Sequence, residues 1–172
     1  MASSWFSYDL LAIGGYSLLL LFSLYKLLDT VKRPVDLAAN LLLVTGLSTL
    51  VAYHVRRYHE KVDINNDADQ YRLRMVAHAS LTAFFVLTLT AFSKAAFQFY
   101  DWFALGAHSY LFVAVWQGLS QVLGAGLLAL YFLFAAARKA GRTDMEMMQF
   151  IGRVLMLVFF VVDFMKGVHL IA

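Results

Sequence analysis

The sequence predicts an all-α, polytopic integral membrane protein with five transmembrane helices. Hydrophobic residues make up 62% of the 172 positions and charged residues 15%, against about 45–50% and about 25% in soluble domains. The mean hydropathy is +0.69. Several uncharged runs reach the roughly 20 apolar residues that a membrane-crossing helix needs, and a single proline leaves them unbroken. No separate soluble domain is expected, so residues 1–172 read as one transmembrane bundle.

The first span is expected at about 10–28. MASSWFSY before it carries no charged side chain, so it lacks the basic start of a cleavable signal. Trp5 and Tyr8 suit the interface, and Gly14, Gly15 and Ser17 allow a neighbouring helix close. A short turn, DTVKRPVD, leads to the second span at about 37–55, with Pro34 suited to a first helical turn. The longest polar segment follows at 56–74, read as a cytoplasmic-side loop whose first part extends the second helix. Within it, Asp63, Asn65, Asp67 and Asp69 echo the opening of a calcium loop. Ala68 replaces the required Gly, however, and Arg74 the required Glu, so a solvated turn is expected.

The third span is expected at about 75–97 and the fourth at 108–137, inside a stretch, 102–137, that contains no charged residue. Small and polar residues gather at the centre of that stretch. Gln117 and Gln121 are four apart and share a helix face, with Gly124 next along it. A glutamine facing lipid lacks hydrogen-bond partners, so this face is expected to point at protein. The fifth span, about 148–171, carries Asp163, Lys166 and His169 at steps of three, on one face. An antiparallel turn near residue 143 would set Asp163 level with Gly124 and Lys166 level with Gln121. These five residues, Gln117, Gln121, Gly124, Asp163 and Lys166, are candidates for helix packing or for an ion or proton site, because a charge inside the bilayer faces the bundle interior and finds a partner.

The histidines suggest a second chemistry. His54 and His78 lie near one predicted interface, His108 and His169 near the other. One His per helix in two pairs on opposite sides is the pattern of two bis-imidazole haem b groups passing electrons across a membrane. The alternative for each is a single His meeting headgroups and water. No other cofactor and no metal is expected. Cysteine is absent, which removes disulfide, thiolate and iron–sulfur chemistry, and no catalytic motif stands in its structural setting.

Five spans put the chain ends on opposite sides. Loops 2 and 4 would carry nine Lys and Arg against five on the other side, which predicts a cytoplasmic N-terminus and an outer C-terminus. The pI near 9.2 is then topology, not nucleic-acid affinity. VWQGLSQVLGAGLLALYFLFAAARKAG and MMQFIGRVLMLVFFVVDFMKGV, about a third of the chain, are similar in Gln, Gly and basic spacing to small polytopic components of type IVB secretion and conjugation machines. The function expected is a non-catalytic subunit of a larger complex in the bacterial inner membrane (secretion or conjugation, respiratory, or ion-translocating). It would pack on other membrane subunits through the polar faces of its fourth and fifth helices. The alternatives are a haem b or quinone-binding anchor subunit and a small ion or proton transporter or channel.

Overall fold

A computed structural model describes residues 3–60, 68–91, 97–138 and 144–171. The described residues form six helices: α1 (Ser3–Thr30), α2 (Pro34–Glu60), α3 (Ala68–Ala91), α4 (Asp101–Gln117), α5 (Val122–Ala137) and α6 (Asp144–Gly167). The calcium-like residues 63, 65 and 67 lie outside them. Four helices contain stretches long and apolar enough to cross a membrane: Tyr8–Thr30, Pro34–Glu60, Ala68–Thr90 and Asp144–Gly167. Their outward faces carry exposed Leu21, Leu24, Val86, Val158 and Val161, as lipid contact requires.

The expected fourth span, 108–137, is not one helix, and this corrects the five-helix reading. Gly118 takes the left-handed conformation at φ 66° and caps α4, its N–H bonding to the Ala114 carbonyl. Leu119 N–H bonds to the same carbonyl at 2.8 Å. A glycine adopts that backbone without steric cost, so Gly118 ends the helix and reverses the chain. α5 then runs back along α4. Phe103 stacks on Phe134 at 5.9 Å near one end of the hairpin, and the Tyr110 hydroxyl donates to the Ser120 carbonyl at 2.7 Å near the other. At 17 and 16 residues, these helices are about 25 Å long, slightly short of the hydrocarbon thickness.

The six helices alternate in direction and close into a ring. Among the described residues each backbone packs on its two neighbours in the chain, and α6 closes the circle against α1. A ring of six helices about 9 Å apart has its centre about 9 Å from every axis, so large inward side chains must fill a lumen. Tyr16, Leu47, Leu81, Leu111, Leu128, Phe132, Met156 and Phe160 are the core that does so.

The extra reversal brings both chain ends to one end of the ring, called here the terminal end. The Tyr8 hydroxyl, early in α1, donates to Asp163, late in α6. An even number of helices returns the chain to its starting end, where five would have left the two ends of the chain at opposite ends of the bundle. Among the described residues the terminal half holds Arg56, Arg57, Arg72, Arg74 and Lys166, and the opposite half Lys26, Lys32, Arg33, Arg138 and Arg153. The polar loop 56–74 also contracts, because α2 continues to Glu60 and α3 begins at Ala68.

This topology has a clean test, since the chain has no cysteine. Leu119→Cys and Leu170→Cys are expected to react with an impermeant maleimide from the same side of a vesicle, and Arg33→Cys from the other. Protection of Leu119→Cys from both sides would restore a single buried span.

Candidate functional site

The lumen holds two cavities of about 270 Å³ each, one towards either end of the ring. Tyr16 and Leu128 line both and so stand at the partition. The opposite-end cavity is mixed, with Leu43, Leu47 and Phe84 beside Asn40, Asp101 and Arg153. The terminal cavity is the more polar in its side chains, with Tyr53, His54, Arg57, Arg74, His78 and Asp163 in its wall. Polar groups thus sit inside among the apolar core, and such groups within a membrane mark pathways and sites.

The polar groups of the terminal cavity are built from neighbouring helices. Asp9 of α1 is 5% exposed. Its carboxylate accepts from His54 Nδ1 at 3.1 Å and pairs with Arg57 Nε at 3.3 Å, both on α2. The carboxylate is acceptor-only, so His54 carries its proton on Nδ1. The Arg57 guanidinium also lies over the Tyr8 ring at 5.6 Å, and the Lys166 ammonium over the same ring at 4.7 Å. Aromatic faces attract cations, most strongly where water is excluded. Asp163 accepts from Tyr8.

His78 of α3 and His108 of α4 touch directly. Their Nδ1 atoms are 3.2 Å apart, and both residues are buried. One Nδ1 must donate and the other accept, so the two rings hold opposite tautomers. His78 faces the terminal cavity and His108 the opposite one. Phe85 stacks on His108 at 6.1 Å and fixes the ring plane.

The candidates from the sequence fall into two groups. Asp163 and Lys166 do face inward, and both meet Tyr8. The expected α5–α6 register is off by two or three residues: a side chain on Gly126 would meet Phe164 at 3.1 Å, and one on Gly167 would meet Val122. Gly124 packs against Leu111 of α4. Gln117 and Gln121 do not share a mid-membrane face, because they flank the exposed turn 118–120, and only Gln121 reaches the wall of the terminal cavity. Asp163 and Lys166 of the predicted fifth helix thus meet a partner inside this chain.

The histidines do not form the two expected pairs. His78 meets His108, His54 meets Asp9, and His169 lies exposed beyond α6. The reason is the hairpin: α4 begins at Asp101, which moves His108 from a span end to the level of His78. Two imidazoles in direct contact leave no space between them for a macrocycle. Among the described residues no cluster of three or more His, Asp or Glu is placed to hold a metal ion.

Three contributors went unread in the sequence. Asp9, Arg57 and Arg74 lie next to span ends and look like loop charges. The available signal was the spacing of His54 and Arg57, three apart and so on one helix face. The residues thus define a helical membrane protein with a polar, two-chambered lumen. Compared with protein-family models, with curated proteins and with solved structures, the chain matches none.

Proposed function

We propose that this chain is a small proton or ion transporter of the membrane, with the ring lumen as its path. The observation that carries the reading is the His78–His108 contact, which joins two chambers lying in line. A proton taken from the terminal cavity by the bare nitrogen of His78 makes an imidazolium. Its Nδ1 proton passes to His108 Nδ1, and His108 then releases the proton on its other nitrogen to the second cavity. The hydrogen bond ends reversed in polarity, so each cycle requires the rings to reset their tautomers.

The subunit reading drew on polar groups that needed neighbours. Tyr8 beside Asp163 and Lys166 gives two of those groups a partner within the chain, and the transporter reading accounts for more of the lumen. A haem-binding anchor has no assembled pair of axial positions to support it.

The test is flux. Proteoliposomes holding a pH-sensitive dye, driven by a valinomycin-set potential, are expected to show protein-dependent proton entry. His78→Phe and His108→Phe should each slow it by about tenfold or more, the usual scale for losing a positioned acid–base group. Flux equal to that of empty vesicles, or unchanged in both variants, would sink the proposal.

A further inference from the structure

The terminal cavity contains one charged group to which the chain gives no hydrogen-bond partner. Arg57 has Asp9, and Asp163 has the Tyr8 hydroxyl. Arg74 of α3 has nothing equivalent. Among the described residues its guanidinium makes no hydrogen bond or ion pair; it lies over the Tyr53 ring, 5.6 Å from the centroid, with the Asp163 carboxylate farther off. Yet Arg74 is 8% exposed and lines the cavity wall. A guanidinium offers five N–H donors in a planar fork and is never deprotonated in proteins, so burying it without an acceptor is strongly disfavoured. One turn nearer the terminal end, on the same helix face, Gln70 is 1% exposed, and neither atom of its amide has a partner. Two adjacent buried polar groups lacking partners mark a place where something else binds.

We propose that the terminal cavity binds a small monocarboxylate, with both oxygens on the Arg74 guanidinium. The fork of Arg matches a carboxylate bidentately, which a spherical ion cannot exploit. The Asp163 carboxylate in the same wall repels a second negative charge, which holds the ligand to minus one. At about 270 Å³ the cavity lies just below the range of drug-sized pockets, so the molecule is small. Its body meets Leu50, Leu111 and Leu128, which share the wall with the polar groups and suit a short apolar tail. A lipid phosphate is a poor occupant, because Arg74 faces the lumen and not the outer surface. The carboxylate would be the cargo of the path described above, so the proposal rests on that reading for its purpose but not for its test.

The test reads binding in detergent-solubilised full-length protein. Sodium propionate is titrated at constant ionic strength against sodium chloride, with propionamide as neutral isostere and succinate as dianion, and the thermal midpoint is followed by intrinsic fluorescence. Propionate is expected to raise the midpoint saturably, and the other three are not. Arg74→Lys, which keeps the charge and loses the fork, should weaken propionate about tenfold. Arg74→Gln should abolish the response. Circular dichroism of both variants shows whether they fold, and Arg74→Lys decides the matter if Arg74→Gln does not. Equal responses to propionate and chloride, or an undiminished response in Arg74→Lys, overturn the proposal. Proton flux without propionate binding defeats the carboxylate site alone. Propionate binding without flux defeats the transport path alone.

Discussion

Asp9→Ala is expected to destabilise the fold by about 3–5 kcal/mol, the range for removing one partner of a buried ion pair. Asp9 is the shared acceptor for His54 at 3.1 Å and Arg57 at 3.3 Å. Truncation strands both at once, inside a ring where water cannot freely replace the carboxylate. Arg57 is the less buried of the two, with 18% of its side chain exposed against 6% for His54, and it keeps its contact with Tyr8. The lower half of the range is therefore the expectation. Asp9→Asn retains an acceptor oxygen and should cost less. The triple replacement Asp9→Leu, His54→Phe, Arg57→Met should recover most of the loss, because no charge is then left unpaired. Thermal unfolding in detergent followed by circular dichroism separates these variants. If Asp9→Ala unfolds with the wild type, the network contributes nothing.

Gly152→Leu should open the ring at its seam. Among the described residues α6 against α1 is the one backbone packing that joins helices distant in sequence, and it closes the circle. There Gly15 and Gly152 allow the backbones to approach closely. A Cβ on Gly152 would meet the Gly15 carbonyl oxygen, Leu18 Cβ and Leu19 Cδ2, each at 3.2 Å. The carbonyl cannot rotate away as a side-chain tip would, so the rest of a leucine must push the helices apart. Overpacking of this kind costs about 1–3 kcal/mol. Gly106 provides the control, since a Cβ there meets nothing within 4 Å. Gly106→Leu should leave the thermal midpoint within about 0.5 kcal/mol of wild type, as for an open surface position, while Gly152→Leu lowers it and makes the vesicles leak protons independently of His78. Equal midpoints for the two variants would mean that the seam does not hold the ring closed.

Much of the class of this protein is legible in one dimension. Helices of this length and hydropathy follow from the absence of charge, and the single proline falls at the first residue of α2, where the helix needs no N–H from it. That Asp163 and Lys166 turn inward follows from the cost of charge in lipid. Even the α5–α6 register comes within two or three residues of a simple mirror.

What the sequence does not decide is which of these segments stand side by side, and at what level. The stretch 102–137 has no charge to mark a reversal, and its length suits one long span or two short ones. The reversal is marked only by Trp116, at an interface depth, followed by Gly118 with its left-handed backbone. That single turn changes the helix count from odd to even, puts both termini at one end and brings His108 to the level of His78. Among the described residues it also divides the Lys and Arg evenly between the two ends. Burial of Asp9, Arg57 and Arg74 is decided in the same way. Each lies where a loop charge is expected, and only the closed ring turns it into the lumen. Hydropathy determines which residues leave water, because that is a property of each segment alone. Which polar groups then meet depends on lateral packing between helices, a contest among near-equal apolar faces that close glycine contacts and polar pairs settle in three dimensions.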